Sequence, residues 1–295
     1  MPQAPNAKRV IIICGATATG KTALAIEAAL HFQTEIISCD SRQCYREMNI
    51  GVAKPSVEEL QQVPHHFINS HSIHEEVNAA IFEQYALTKC NELFNNHDTI
   101  VMVGGTGLYI KAFAEGIDLI PAIEPSIRNH IIEQYQADGL SWLQQAVQTE
   151  DPVYFSSGEI QNPQRLMRAL EVIRGTGQSI RTYQQGQSTH RNFAITKIAI
   201  DIPRAELINR INHRVDLMMD TGLLHEVESL YPYRELPALK TVGYAELFDY
   251  IDGKLSLPEA IERIKINTRQ YAKRQVTWFR KDGVVEWKRP SDRLW

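Results

Sequence analysis

Cysteine and long apolar runs are both scarce in this sequence of 295 residues. Its four cysteines form no CxxC pair, and no histidine cluster completes a zinc-binding spacing, so we expect reduced thiols and no zinc site. Residues 1–8 lack an apolar segment of signal-peptide length, and the apolar run at residues 10–14 is far too short to span a bilayer. We therefore expect a cytoplasmic protein that does not associate with membranes.

A strong charge of one sign is also absent, because the net charge is −4. The distribution is uneven, however: residues 262–289 hold nine Lys or Arg against three acids, about +6, which leaves the rest of the chain near −10. Tyr271, Trp278, Phe279 and Trp287 are interleaved with these cations. A basic segment with aromatics suits phosphate contacts and base stacking in a nucleic acid. The alternative is a solvated surface helix whose aromatics belong to the core.

Short apolar segments alternate with helical stretches along much of the chain. Strands are predicted at residues 10–14, 35–39, 99–103 and 197–202, and the first is followed by an alanine-rich helix at about 22–32. Buried strands that alternate with helices are typical of a parallel sheet covered on both faces. The fold class predicted is α/β, with a P-loop NTPase-like parallel sheet core flanked by helices.

The pattern changes between residues 116 and 196, where no convincing strand occurs. Helices are predicted at residues 126–137, 141–149 and 163–174. We therefore divide the chain into an α/β core of residues 1–115 plus 197–295 and an all-helical insertion of residues 116–196. Two long helices of the returning core are predicted at residues 204–231 and 257–280.

The clearest local motif follows the first strand and matches G-x-x-x-x-G-K-[ST]. Its residues are Gly15, Ala16, Thr17, Ala18, Thr19, Gly20, Lys21 and Thr22. Such a loop turns backbone amides toward phosphate oxygens, the lysine adds a positive charge, and the threonine hydroxyl can hold a magnesium ion. A glycine turn that merely connects a strand and a helix is the alternative.

An ordinary P-loop NTPase also has an apolar strand that ends in a magnesium-binding aspartate. Here the strand at 99–103 runs into a second glycine-rich turn, residues 104–109, and the comparable acid is Asp40 after the strand at 35–39. Asp40 is either a displaced magnesium ligand or has another role. Because ligands bind at the carboxyl ends of parallel strands, we expect both glycine-rich turns and Asp40 to share one edge of the sheet. A small-molecule kinase remains possible on these residues.

Several motifs in order resemble those of the tRNA dimethylallyltransferase (tRNA isopentenyltransferase) family, over about residues 10–282. They are Asp40-Ser41-Arg42-Gln43, Ala53-Lys54-Pro55, Gly104-Gly105-Thr106-Gly107-Leu108-Tyr109, Asn162-Pro163-Gln164-Arg165, Gly222-Leu223, Val242-Gly243-Tyr244 and Lys273-Arg274-Gln275-Val276-Thr277-Trp278-Phe279-Arg280. Ala16 and Thr19 stand where the family often has Pro and Ser, and both preserve the loop. The zinc finger that follows the core of eukaryotic members is absent, so the chain is similar to the bacterial type.

The resemblance implies a reaction. The exocyclic N6 of the adenine 3′-adjacent to the anticodon attacks dimethylallyl diphosphate, and pyrophosphate leaves with the help of Mg²⁺. It implies catalytic roles for Asp40 as general base, Thr106 in alignment and Arg214 at the diphosphate. Residues 15–22 would hold the diphosphate, and Thr22 is the metal ligand we expect.

The resemblance also implies a tRNA partner and an adenine flipped out of its stack. It assigns contacts with the tRNA anticodon stem-loop to Asp40, Ser41, Arg42, Gln43, Thr106, Arg128, Gln164, Arg165, Leu166, Met167, Arg168, Lys240, Thr241, Val242, Gly243, Tyr244, Lys273, Arg274, Gln275, Val276, Thr277, Trp278, Phe279 and Arg280. A monomer is expected. The rival functions are a P-loop small-molecule kinase and a non-enzymatic RNA-binding protein.

Overall fold

A computed structural model describes residues 8–118, 120–184, 186 and 189–292. Its described strands form a six-stranded sheet in the order β3-β2-β4-β1-β5-β6, in which every pair of neighbours is parallel. The strands are β1 (Arg9–Cys14), β2 (Ile36–Ser38), β3 (His65–His66), β4 (Thr99–Gly104), β5 (Ala194–Ile200) and β6 (Val285–Lys288). The predicted α/β class with a parallel sheet is confirmed.

Helices separate these strands and form a second group between β4 and β5. In chain order they are α1 (Lys21–His31), α2 (Val57–Gln62), α3 (Ala79–Leu93), α4 (Gly107–Glu115), α5 (Pro125–Glu150), α6 (Pro152–Ser157), α7 (Pro163–Thr176), α8 (Ile180–Tyr183), α9 (Arg204–Asp220), α10 (Leu223–Leu230), α11 (Tyr244–Ile251) and α12 (Leu257–Lys281). A 3₁₀ turn occupies Tyr231–Tyr233. Within the described part of the chain, no helix is both long and apolar enough to cross a bilayer.

Both faces of the sheet are buried, which explains why its central strands are apolar throughout. In β1, Val10 and Ile12 belong to one apolar cluster, whereas Ile11 and Ile13 belong to the other. Successive side chains of a strand point to opposite faces, so this alternation shows helices packed on each side. The strands therefore lie fixed, and their carboxyl ends form a rigid edge.

The single helix predicted at residues 204–231 is wrong, because α9 ends at Asp220 and α10 begins at Leu223. Gly222 lies between them with a φ of 102°, a left-handed conformation that glycine adopts without the steric cost of a side chain. The helix is therefore interrupted at Gly222, and α10 begins as a separate helix.

The chain divides into two compact units, residues 1–115 with 190–295 and residues 116–189. The second unit has its own apolar cluster, which includes Leu143, Val147, Leu166 and Leu170. Its longest helix, α5, is interrupted at Gly139 (φ 74°, ψ −164°), between the two helices expected at 126–137 and 141–149. Residues 190–196, assigned to the insertion from the sequence, group with the first unit, where β5 begins at Ala194.

Candidate active site

Three turns meet at one edge of the sheet. The P-loop follows β1, Asp40 follows β2, and the turn that starts at Gly104 follows β4; these strands are neighbours in the order β2-β4-β1. The turns line a cavity of about 480 Å³. Its lining includes Thr17, Lys21, Thr22, Asp40, Gly105, Arg214 and Gln275. The expected grouping of the motifs at the carboxyl ends of the strands is what the structure shows.

The P-loop has a backbone shaped for an anion. Gly15, Ala18 and Gly20 all have positive φ angles, of 129°, 64° and 87°, and α1 begins directly after Gly20. The hydroxyl of Thr19 donates to the carbonyl of Ala16 at 2.9 Å and closes the turn. A series of left-handed residues before a helix N-terminus directs amides into a concave nest that suits phosphate oxygens.

Two cations face this nest. The pKa of Lys21 is lowered to about 8, mainly by burial and also by the charge of Arg214, while the charge of Asp40 acts in the opposite direction. Burial also lowers the pKa of Arg214, whose Nη1 donates to the hydroxyl of Thr17 at 3.1 Å. Holding two desolvated cations together is unfavourable unless an anion joins them. The cavity is therefore electrostatically prepared for a polyanionic ligand.

Asp40 is held in a tight turn opposite the P-loop. Its Oδ1 accepts hydrogen bonds from the amides of Arg42 at 2.8 Å and Gln43 at 3.3 Å. Thr106 joins the same wall through Ser41, whose amide donates to the Thr106 hydroxyl at 3.0 Å. The turns after β2 and β4 are thus cross-linked, which fixes the carboxylate of Asp40 relative to the sheet edge.

Gln275 connects the P-loop to the second glycine-rich turn. The amide of Thr17 donates to its Oε1 at 2.8 Å, and its Nε2 donates to the carbonyl of Gly105 at 2.9 Å. A Cβ at Gly105 would come within 2.2 Å of this Nε2. The resemblance assigned Gln275 to the RNA, but its side chain is only 7% exposed and contacts other parts of the protein. The sequence does carry a signal for this burial, because Gln275 is spaced so that it shares the buried stripe of α12 with Ala272 and Phe279.

The other expected RNA contacts on α12 separate into two faces. Lys273, Arg274, Thr277 and Trp278 are exposed and, with Gln270 and Lys281, line a groove of about 400 Å³. Arg280 is also exposed, Val276 is half-buried, and Phe279 is in the core. One face of α12 therefore carries cations and a tryptophan toward solvent.

Residues 240–244 lie along the cavity and behind it. Thr241, Val242 and Gly243 line the cavity, whereas the exposed Lys240 pairs with Glu235 at 3.3 Å. Tyr244 is fully buried, and its hydroxyl donates to Glu226. The contact that Tyr244 makes is internal, and nothing in the sequence pattern distinguishes it from the neighbouring residues that line the cavity.

The expected RNA contacts of the second unit include three arginines and their neighbours on α7. Arg128 and Arg168 both pair with the buried Glu171, at 3.3 and 2.8 Å, and Arg165 pairs with Glu159. Gln164 is exposed, Met167 is half-buried, and Leu166 is fully buried in the core of this unit. Glu171 therefore brings the guanidinium groups of Arg128 and Arg168 together.

The metal expected at Thr22 can be tested against the donors present. Among the described residues, no group of three or more His, Cys, Asp or Glu side chains could hold a metal ion. Thr22 and Asp40 both line the cavity and offer oxygen atoms. Mg²⁺ commonly binds through one or two protein oxygens together with substrate phosphates. The residues therefore fit a magnesium ion that arrives with a phosphorylated ligand.

The fold and this site define a P-loop-like α/β protein with a cavity at the carboxyl edge of its sheet. The model of the IPP transferase family matches residues 43–282. The tRNA dimethylallyltransferase of Christiangramia forsetii is 48% identical over 94% of this chain and 92% of its own length; that of Flavobacterium johnsoniae is 45% identical over 95% and 93%. The chain belongs to the IPP transferase family, and it is a prenyltransferase, as its motifs indicated.

Solved structures agree with this assignment. The full-length tRNA isopentenylpyrophosphate transferase of Bacillus halodurans is 34% identical, with a TM-score of 0.70 over 96% of this chain and 90% of its own. A eukaryotic dimethylallyltransferase acting on tRNA is 26% identical, with a TM-score of 0.79 over 97% and 74%. The alternative of a small-molecule kinase receives no support from these relatives.

Proposed function

We propose that this enzyme transfers a dimethylallyl group from dimethylallyl diphosphate to the exocyclic N6 of the adenine 3′-adjacent to the anticodon in tRNA and releases pyrophosphate. The observation that carries the proposal is the cavity in which two desolvated cations, Lys21 and Arg214, lie near the carboxylate of Asp40. A diphosphate matches the cations, and an amine that must lose a proton matches the carboxylate. Membership of the family supplies the class of both substrates.

The P-loop nest, Lys21 and Arg214 bind the diphosphate and stabilise it as a leaving group. Negative charge accumulates on the ester oxygen of the diphosphate while its bond to the allylic carbon breaks, and fixed cations favour that charge at no cost of reorganisation. Thr17 aligns Arg214 through the hydrogen bond to its hydroxyl. Thr22 would hold Mg²⁺, which supplies further neutralisation of the diphosphate when it is bound.

Asp40 acts on the nucleophile. The lone pair of N6 forms the new C–N bond as the allylic C–O bond breaks, and a proton then passes from N6 to the carboxylate. The amides of Arg42 and Gln43 orient this carboxylate through Oδ1. Thr106 supports the same turn through Ser41.

The RNA lies against the basic face of α12 and against α7 of the second unit. Lys273 and Arg274 contact phosphates, and Trp278, which is 40% exposed, offers a ring on which a base or ribose can stack. Arg128, Arg165 and Arg168 contact the anticodon loop. The target adenine leaves its stack to enter the cavity, at a cost of a few kcal/mol.

We further propose that the enzyme acts as a monomer in the cytoplasm. Sedimentation at working concentration tests this state, and a dimer that dissociates only with loss of activity would overturn it.

One experiment tests the reaction. Unmodified tRNA with an adenine 3′ of the anticodon is incubated with the protein, Mg²⁺ and dimethylallyl diphosphate, and its nucleosides are weighed by mass spectrometry. We expect a product heavier by one dimethylallyl group, and none from a matched tRNA with guanine at that position. Binding of tRNA without product would favour the RNA-binding alternative instead.

A further inference from the structure

Glu226 on α10 forms a hydrogen-bonding centre outside the groups assigned to the reaction. Its carboxylate accepts three consecutive backbone amides: Asn49 at 3.1 Å and Ile50 at 2.8 Å on Oε2, and Gly51 at 3.1 Å on Oε1. Tyr244 adds its hydroxyl to Oε1. Hydrogen bonds to a charged acceptor are stronger than neutral ones, so this carboxylate determines the course of residues 49–51.

Tyr244 fixes the same segment by packing. Its side chain is fully buried, and a Cβ at Gly51 would come within 2.5 Å of the ring atom Cε2. The ring thus occupies the space that a side chain at Gly51 would need. Burial raises the pKa of the Tyr244 hydroxyl, and the charge of Glu226 raises it too, so the hydroxyl stays a donor.

The two residues join opposite parts of the cavity lining. Residues 51–55 line it directly after the amides that Glu226 holds, and residues 241–243 line it directly before Tyr244. One hydrogen bond and one ring contact therefore couple two segments far apart in sequence.

The coupling continues to the carboxylate that we assign to proton transfer. Gln43 donates from Nε2 to the carbonyls of Ala53 at 2.9 Å and Val52 at 3.3 Å, and its amide donates to Asp40 Oδ1. A shift of residues 51–53 would therefore move Gln43, and with it the turn that orients Asp40.

We propose that Glu226 and Tyr244 are positioning residues, which hold residues 49–53 and 241–243 in place and thereby set Asp40 against the adenine. This inference rests on the proposed function. Neither residue touches substrate; each acts through the segments it holds. A displacement of about 1 Å at a reacting group can reduce a rate by about a hundredfold, so a small shift of these segments is enough.

The first test uses Tyr244→Phe, which removes one hydroxyl, and Glu226→Gln, which removes the charge. The control is Glu228→Gln on the same helix, a 53% exposed side chain whose neighbour is His225 at 3.9 Å. In steady-state prenylation of tRNA we expect each variant to lower kcat about tenfold or more, with the KM for dimethylallyl diphosphate within about twofold because the P-loop is untouched. The control should match the wild type.

The double variant adds a second criterion. Because the two residues share a hydrogen bond and hold the same segment, the loss in kcat of the double variant should fall well short of the product of the two single losses. A multiplicative loss in the double variant would overturn the proposal. A wild-type kcat in both single variants, Tyr244→Phe and Glu226→Gln, would overturn it as well.

Hydrogen exchange of the free protein gives a readout independent of catalysis. The amides of residues 49–51 should exchange faster in Glu226→Gln than in the wild type, while peptides of α1 stay unchanged. Unchanged exchange at residues 49–51 would contradict the proposal that Glu226 and Tyr244 clamp this segment, even if activity falls. If the wild type forms no product, the proposed function fails, and the exchange measurement still decides whether the clamp exists.

Discussion

Asp40 has one oxygen committed to its own turn, where Oδ1 accepts the amides of Arg42 and Gln43. Asp40→Asn keeps an oxygen for these amides and removes the base. We expect kcat to fall about 10²- to 10⁴-fold, the usual contribution of a positioned general base, with the Kd for tRNA within about twofold. Single-turnover kinetics and filter binding measure the two quantities.

A second carboxylate provides the matched control. Glu59 also lines the cavity, but it caps α2 by accepting the amide of Ser56 at 2.8 Å. Glu59→Gln should leave kcat close to that of the wild type. An equal loss in both variants would show that the charge of the cavity, and not a proton acceptor at residue 40, controls the rate.

Lys21 predicts the pH dependence of diphosphate use. Because its pKa is lowered to about 8, the side chain is charged below that pH and loses its charge as the pH rises through it. The value of kcat/KM for dimethylallyl diphosphate, which reports on the enzyme form that binds it, should therefore be level below about pH 8 and fall above it. Rates at saturating tRNA from pH 6.5 to 9.5 measure this.

The variant Lys21→Arg tests whether the titration of Lys21, and not that of Lys54, causes the fall above pH 8. Arginine keeps its charge across the range, so the fall above pH 8 should disappear even if the overall rate is lower. Burial also lowers the pKa of Lys54 to about 8. A fall that persists unchanged in Lys21→Arg would therefore contradict the assignment to Lys21 and point to Lys54.

At the scale of the element, α12 has a buried stripe that packs against the protein and an exposed stripe that carries the basic groove. Lys273 is on the exposed stripe, in the basic groove. Lys273→Glu should weaken tRNA binding and reduce the slope of log K against log salt by about one, since one phosphate contact is lost. Binding at several salt concentrations gives the slope.

Arg263→Glu is the matched control, because it makes the same change of charge at an exposed position on the same helix, outside the basic groove. Its slope should stay near that of the wild type. Equal slopes for both variants would mean that the RNA responds to the overall charge of the helix and makes no local contact at Lys273.

The elements differ in how far sequence reveals them. The four apolar strands and the P-loop were predictable, because buried parallel strands and a glycine-lysine motif carry strong local signals. The edge strands β3 and β6 were missed, since His65–His66 is short and polar and Val285–Lys288 alternates charged residues. The break at Gly222 was missed as well, because a glycine in a helical pattern interrupts the helix only in some contexts.

The contacts within the site are also only partly predictable from the sequence. Several residues that line the cavity, such as Lys21, Asp40 and Gly105, belong to the motifs, but the partners of Gln275 lie 258 and 170 positions away in the chain. Spacing within α12 cannot indicate which distant backbone groups a buried side chain will meet. Motif resemblance predicts which positions matter, and the structure separates those that face inward from those that face solvent.

At the scale of the whole molecule, each unit has an apolar core of its own, and the cavity lies in the unit of residues 1–115 and 190–295. A ligand at a hundred times its Kd stabilises the folded state by about 2.7 kcal/mol. We expect dimethylallyl diphosphate to slow hydrogen exchange in peptides from residues 8–115 and 190–292.

Peptides from residues 120–184 serve as the internal control, because their core is separate. Their exchange should change little with the ligand. Equal protection in both units would contradict a diphosphate site confined to the cavity.

The close contact of Gly105 with Gln275 has a consequence for evolution. Alanine at residue 105 would force the amide of Gln275 to move, since the added carbon would lie 2.2 Å from Nε2; alanine at Gly107 would collide with the Trp278 ring at the same distance. The two motifs are thus constrained jointly, although more than 160 positions separate them. In a genetic selection, a lesion at Gly105 should be suppressed by a shorter amide at residue 275, and second-site revertants should accumulate in α12.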